Sequence, residues 1–326
     1  MEIARRLMDI TLYDAKESYR KLRDEPCRDP RLSRIGLHAL DYYFLQHRIK
    51  AKTKGISFYD AITDDDEREH LTEMVRRWKK NMKPRDYDDP VKLLKMQYSV
   101  FQLYYGTINQ FRPMAAKWLY CQLNPKVGIL DFSAGWGGRC LAAMAMGIPY
   151  IGIDANVHLE TPYRKMIQTY GKGEADVMMI FKPSETVDFS KFDYDLVFTS
   201  PPYFMIEKYE NMPAYVGKQA FIDEFFEPVV TNAWKYLKNG GYMALNMPHE
   251  MYMSIRHALP KLHSRKYLPL HDRRPHEGVE AKQTKKRGGR GGTRKRQKGA
   301  PHEIIYIWKK MGGTQVPPDP LLHKGE

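Results

Sequence analysis

Val127-Gly128-Ile129-Leu130-Asp131-Phe132-Ser133-Ala134-Gly135-Trp136-Gly137-Gly138-Arg139 is the stretch from which the fold is read. An apolar run suited to a buried strand gives way to a glycine-rich turn. The segment Cys140-Leu141-Ala142-Ala143-Met144-Ala145-Met146 then has the composition of a helix. Glycine lacks a Cβ, so the backbone of such a turn can come close to a ligand. The next strand-like run, Pro149-Tyr150-Ile151-Gly152-Ile153, ends in Asp154. A carboxylate at that place can hold both hydroxyls of a ribose. Further on, Tyr194-Asp195-Leu196-Val197-Phe198 reads as another buried strand and runs into Thr199-Ser200-Pro201-Pro202-Tyr203-Phe204. The two prolines hold the chain extended and stiff, so its oxygens are preset.

From Val127 onward strand and helix patterns alternate. Strands are expected near 127–131, 149–154, 176–181, 194–199 and 241–247, with a helix over Phe225–Leu237 that stops at Gly240-Gly241. A further helix is expected over Met251–Leu262, and closing strands at Tyr267–Leu270 and Ile304–Trp308. Such alternation predicts an α/β protein whose mostly parallel sheet is covered on both faces.

Residues 1–90 read as a helical N-terminal extension without a recognisable motif. Its acidic run Asp64-Asp65-Asp66-Glu67 suits a helix start, where the macrodipole favours anions. The main domain is expected over 91–312, and 313–326 forms a C-terminal tail. Within the main domain, a loop at about 272–302 interrupts the last two strands. Residues 281–298 of that loop carry nine cations, four glycines and no acid. Such a composition cannot bury a core and predicts a segment that is mobile when free.

The chain holds 53 Lys and Arg against 39 Asp and Glu, a net charge of +14, and a balance this basic favours a polyanionic partner. No apolar run is long enough to span a bilayer, and the first residues lack the apolar segment of a signal peptide. The three cysteines, Cys27, Cys121 and Cys140, are far apart. They suggest neither a disulfide framework nor a zinc site, and they suit a reducing, intracellular compartment, cytoplasmic or nuclear. No histidine pairing suggests a metal.

Glycine turn, strand-end acid and Ser200-Pro201-Pro202-Tyr203, in that order, resemble the S-adenosylmethionine-dependent amino-methyltransferases of DNA, the N4-cytosine and N6-adenine enzymes. The resemblance covers about residues 105–250. It implies a Rossmann-like methyltransferase fold with a seven-stranded sheet whose final strand is antiparallel, and S-adenosylmethionine as cofactor. For the cofactor it implies Asp131, Phe132, Ser133, Gly135 and Gly137 around the methionine side, and Asp154 at the ribose. Phe111 and Pro113, in Asn109-Gln110-Phe111-Arg112-Pro113, match the segment that closes over the methionine end. The region after the third strand, Phe181-Lys182-Pro183-Ser184, is where the adenine edge is met.

For the chemistry the resemblance implies Ser200, Pro201, Pro202 and Tyr203. An exocyclic amine is conjugated with its ring, so its lone pair is unavailable. Acceptors on the two amino hydrogens, Ser200 Oγ and the Pro201 carbonyl, expose that pair. Tyr203 and Phe204 stack on the target ring. The displacement needs placement and no metal. Lys285, Lys286, Arg287, Arg290, Arg294, Lys295 and Arg296 are the expected phosphate contacts. Serine at the head of the cradle is commoner in cytosine enzymes and Asp or Asn in adenine ones, and the base stays open. DNA is the expected partner. An RNA base methyltransferase, an enzyme acting on another planar amide and a non-catalytic binding subunit stand as alternatives. Arg139 suits a carboxylate, a phosphate or the surface.

Overall fold

The computed structural model describes residues 2–27, 33–78, 88–171, 176–203, 215–269 and 302–312. Seven strands form one sheet: β1 (Ile129–Asp131), β2 (Tyr150–Asp154), β3 (Val177–Phe181), β4 (Leu196–Thr199), β5 (Tyr242–Asn246), β6 (Ser264–Pro269) and β7 (His302–Lys309). Their spatial order is β3-β2-β1-β4-β5-β7-β6. The neighbouring pairs among β1 to β5 are parallel, and β7 runs antiparallel to both β5 and β6. This is the doubly wound α/β architecture expected from the sequence, with the antiparallel strand inserted next to the sheet's edge.

Because side chains alternate across a strand, neighbouring residues feed opposite layers. Ile129, Leu196, Phe198, Ala244 and Ile307 face the layer of helices Pro113–Leu123, Gly138–Ala145 and Glu160–Tyr170. Leu130, Val197, Met243, Leu245 and Trp308 face the other layer, built by residues 217–236 and by His249–Ile255. The second of these helices is shorter than the expected Met251–Leu262. The chain from Gly217 to Tyr236 is helical throughout, with a π turn at Ile222–Phe226. Pro228 has no N–H to give residue 224, and a wide turn here absorbs the missing bond. Just before strand β4, the Asp195 carboxylate turns to the β1 entry, where it accepts from the backbone N–H of Lys126, Val127 and Gly128 at 2.7, 3.1 and 3.2 Å.

The N-terminal helices Leu12–Asp24 and Leu37–Arg48 complete the first layer. Tyr19, Leu22, Ala39, Leu40 and Phe44 belong to the same buried cluster as Met114, Leu119 and Leu141. A smaller cluster joins Leu7, Phe58 and Leu71 to Leu94 and Phe101. The core therefore runs across the expected boundary at residue 90. The extension also contains a short hairpin that periodicity did not foretell, Lys52–Thr53 paired with Ile56–Ser57. Lys54 and Gly55 both take positive φ, 51° and 90°, which fits the mirror-image turns of tight hairpins.

The cysteine expectation is corrected. Cys27 and Cys121 form a disulfide across 94 residues of sequence, with Cα atoms 6.3 Å apart. Nearby, Lys117 Nζ donates to the carbonyls of Leu22, Arg23 and Glu25 at 2.7, 2.8 and 2.6 Å and gathers the helix end that carries Cys27. With this bond present, cysteine usage no longer argues for a reducing compartment.

One buried ion pair shapes the glycine turn. Asp131 at the end of β1 is fully buried and accepts from Arg139 Nε at 2.6 Å and from Arg139 Nη2 at 3.2 Å. The Tyr150 hydroxyl donates to the same carboxylate, and Arg139 also donates to the Ser133 carbonyl. Burial works against the Arg139 charge, but Asp131 beside it outweighs burial and raises the Arg139 pKa. The pair ties the strand's end to the first turn of helix Gly138–Ala145, and residues 132–137 must loop between them. Two glycines make the loop possible. Gly137 has φ +79°, and a Cβ there would stand 2.9 Å from the Phe44 ring; a Cβ on Gly138 would stand 1.9 Å from the Phe111 carbonyl oxygen.

Two stability outcomes follow from this packing. Arg139→Met leaves Asp131 charged and unpaired in the interior, and it should lower unfolding free energy by about 3–5 kcal/mol in a urea titration. Phe44→Ala should cost about 3–5 kcal/mol by the same titration and leave a single transition, since Phe44 lies in the core shared with the sheet.

Candidate active site

A cavity of about 950 Å³ opens at the carboxyl ends of the parallel strands. Its wall includes residues 132–136 after β1, Asp154–Asn156 after β2, Pro183–Glu185 after β3, Ser200–Tyr203 after β4 and Asn246 at the end of β5. Gln110, Phe111 and Arg112 close it from the helix side, and Arg48 reaches it from the N-terminal layer.

Asp154 is the strand-end aspartate that faces this space, beside Glu185 and Glu303. Its Oδ2 accepts from the Gly135 N–H at 2.7 Å and its Oδ1 from the Asn156 N–H at 2.9 Å. Burial pushes its pKa up to about 6, against the two backbone bonds that favour the charged form. The Tyr163 hydroxyl donates to the carbonyls of Ala134 and Gly135 at 3.1 and 3.0 Å, and Ser184 Oγ donates to the Phe132 carbonyl at 2.5 Å. The loop is thus bound on three sides and presents a preformed surface. Trp136 is buried and still contributes to the cavity wall.

On the β4 side, Ser200 is half-buried and Pro201 is buried. Asn246, 1 % exposed, donates through Nδ2 to Ser200 Oγ at 3.4 Å and to Glu303 Oε2 at 3.1 Å. Its Oδ1 has no hydrogen-bond partner among the described residues. Glu303 on β7 also lines the cavity and lies close enough to Arg112 to act on its charge. Burial lowers the Arg112 pKa and Glu303 opposes that shift. Tyr215 donates to Glu185 at 3.0 Å and packs against Phe221 and Phe225, with centroids at 5.5 and 5.9 Å. Tyr215 and Phe225 therefore add aromatic surface to the cavity wall.

Of the residues singled out from sequence, Ser200, Pro201, Pro202, Tyr203, Phe132, Ser133, Gly135, Asp154 and Phe111 line one cavity. Asp131, Gly137 and Pro113 stand behind its wall. Asp131 is consumed by Arg139, Gly137 packs on Phe44, and Pro113 starts a buried helix against Gly36. Phe204 and the cations Lys285, Lys286, Arg287, Arg290, Arg294, Lys295 and Arg296 lie outside the described residues. Asn246, Glu303 and Arg48 were not anticipated, and Gln110 was anticipated only as part of the segment around Phe111. Asn246 carried a usable signal, a polar residue ending an apolar strand, as Asp131 and Asp154 do. Among the described residues no cluster of His, Cys, Asp and Glu could hold a metal ion, and no helix is long and apolar enough to cross a membrane.

No protein-family model matches this chain, and no curated protein does. Among solved structures, TrmN from Thermus thermophilus is similar over 74 % of this chain and 78 % of its own, at 13 % identity and a TM-score of 0.40. The tRNA (uracil-54, C5)-methyltransferase of Pyrococcus abyssi, in complex with S-adenosyl-L-homocysteine, is similar over 60 % of this chain and 37 % of its own, at 14 % identity and a TM-score of 0.39. The tRNA m1G37 methyltransferase of M. jannaschii is similar over 64 % of this chain and 53 % of its own, at 12 % identity and a TM-score of 0.35. At these scores the fold rests on the strand order itself.

Proposed function

We propose that this protein transfers the methyl group of S-adenosylmethionine to the exocyclic amino group of a nucleobase held out of its strand, with DNA as the substrate. A single observation carries the reading: the glycine loop, Asp154 and the Ser200–Tyr203 cradle border one cavity. Its volume of about 950 Å³ is at the upper end of the roughly 300–1,000 Å³ of ligand pockets, enough for a donor and a base side by side.

The residues present suit the donor. Asp154 offers a carboxylate already oriented by two backbone N–H groups, as a ribose diol requires. Pro183 and Ser184 border the place for an adenine, and Phe111 and Trp136 offer apolar surface beside the loop. When bound, the donor would supply an electrophilic methyl on a sulfonium; the C–S electron pair would go to sulfur as the N–C bond forms, and the nitrogen, left positive, would release one of its amino protons to water.

The chain's own part is placement. Ser200 Oγ and the Pro201 carbonyl accept the two amino hydrogens and turn the nitrogen lone pair toward the donor. Asn246, donating to Ser200 Oγ, fixes which way that hydroxyl's remaining lone pair points. The ring lies against Tyr203. Extruding a base from a duplex costs a few kcal/mol, and stacking on an aromatic returns about 1–3 kcal/mol. The net charge of +14 and the cation-rich run 281–298 supply phosphate affinity without reading sequence. A second reading, RNA as the polymer, is favoured by one feature of that run, Arg287-Gly288-Gly289-Arg290-Gly291-Gly292, which suits RNA as readily as DNA.

Mass spectrometry of nucleosides from duplex DNA, single-stranded DNA and RNA, each incubated with protein and methyl-labelled donor, decides the substrate. The expected product is an N-methylated cytosine or adenine from DNA; label only in protein, or none anywhere, defeats the proposal. In the same assay Ser200→Ala should slow transfer by about a hundredfold while donor affinity stays nearly intact. Asp154→Ala should weaken donor binding first, and equal binding losses in both variants would contradict the assignment.

Donor affinity should also depend on pH. Ribose hydroxyls donate to the ionised Asp154, and the free protein takes up a proton there near pH 6. Affinity measured by calorimetry should therefore fall by up to about tenfold for each pH unit below 6 and level off above it. For the protein without donor the sign is opposite. The folded pKa lies above the ordinary 3.8, so the charged group costs stability at neutral pH, and that cost fades as pH falls through about 6.

A further inference from the structure

Part of the cavity wall is built by the N-terminal layer and the segment before Pro113, and not by the sheet. Arg48 ends the helix Leu37–Arg48 and is 7 % exposed; Gln110 lies in the segment before Pro113. Both line the cavity, and both bind one oxygen. Asp41 Oδ1 accepts from Arg48 Nη2 at 2.7 Å and from Gln110 Nε2 at 3.0 Å. This leaves Arg48 Nη1 and Gln110 Oε1, each buried and without a hydrogen-bond partner among the described residues. Tyr98 lies against the same guanidinium and does not occupy Nη1.

Buried polar atoms are nearly always paired, so two orphans on one patch ask for a ligand. One is a cationic donor and the other a neutral acceptor, and their shared Asp41 oxygen keeps them together. The complementary group carries an anionic acceptor and a cationic donor on adjacent atoms, which describes an α-amino acid. The patch stands beside the glycine loop. Phe44, one turn before Arg48, touches Gly137, and the carbonyl of Phe111, next to Gln110, crosses Gly138. Asp131, the acid expected on the methionine side, is already taken by Arg139.

We infer that Arg48 and Gln110 hold the amino-acid end of the methyl donor, Arg48 Nη1 donating to its α-carboxylate and Gln110 Oε1 accepting from its α-ammonium. This rests on the S-adenosylmethionine reading above. Asp41 already balances the Arg48 charge, and a zwitterion keeps the buried patch neutral, so no charge is left unpaired. The N-terminal layer is then a working wall of the donor site.

Calorimetric titration with two ligands tests this: S-adenosylhomocysteine, which has the amino-acid end, and 5′-methylthioadenosine, which lacks it. Wild-type protein should bind the first more tightly. Arg48→Met should lose about tenfold or more of that affinity and leave the second ligand's within about twofold, and Arg48→Lys should recover part of the loss. If Arg48→Met does not fold, Gln110→Leu, which breaks no ion pair, should show the same selective loss by a smaller factor. Equal weakening of both ligands in a folded variant, or no weakening of either, overturns the inference. Wild-type protein that binds both ligands equally overturns it alone, and wild-type protein that binds neither overturns the donor reading as well.

Discussion

The site hangs on the buried pair between Asp131 and Arg139. Two charges removed from water are tolerable only with good geometry and every remaining lone pair occupied. Here the carboxylate takes two guanidinium bonds, the Tyr150 hydroxyl and the Ser133 N–H at 3.3 Å, while the guanidinium also serves the Ser133 carbonyl. The Arg139 charge lies 5.3 Å from the Phe111 ring and 6.0 Å from the Phe198 ring, which meet edge to face at 5.3 Å. Through these contacts one interaction reaches three walls: the loop after β1, the segment carrying Phe111, and β4 two residues before Ser200.

The same pair sets how the acids divide their work. An Asp131 spent on Arg139 cannot meet a ligand, so Asp154 is the strand-end carboxylate left facing the cavity. Its two backbone hydrogen bonds orient it without neutralising it, and burial keeps its proton within reach of the working range of pH. A carboxylate with a cation of its own would have been silent toward a diol. The loop's rigidity has the same origin. With both its ends held by an ion pair, and its carbonyls held by Tyr163 and Ser184, little ordering remains for a ligand to impose.

Much of this was legible in the sequence, for a definable reason. Apolar runs ending in Asp131, Asp154 and Ser200 announce strand ends, and the glycines between 135 and 138 announce a close approach; these signals are local. What stayed hidden depends on contacts distant in sequence. Arg139 reads as a partner for a carboxylate or phosphate or as a surface cation alike until Asp131 is seen eight residues back and inside. Cys27 and Cys121 read as unrelated until helix packing joins them. The N-terminal helices show no motif because they pack on the helix layer through scattered apolar side chains such as Tyr19, Leu40 and Phe44. The hairpin at 52–57 was masked by helical periodicity on both sides, although Lys54-Gly55 carries its turn chemistry. Glu303 and Asn246 meet only because β7 runs back beside β5.

Topology explains why these residues meet where they do. In open α/β sheets, ligands sit outside the carboxyl ends of the strands, at the point where the winding reverses. Here that point is between β1 and β4, since the chain proceeds from β1 outward to β2 and β3 and then returns to the other side. Neighbouring strands diverge there, and the crevice needs no side chain to create it. Arg139 lines its floor with Asp131 behind it, the glycine loop forms one lip and the Ser200 cradle the other. A donor over the first lip and a base over the second would face each other across the width of a single strand spacing, roughly 5 Å, which is the scale on which a methyl group can pass between them.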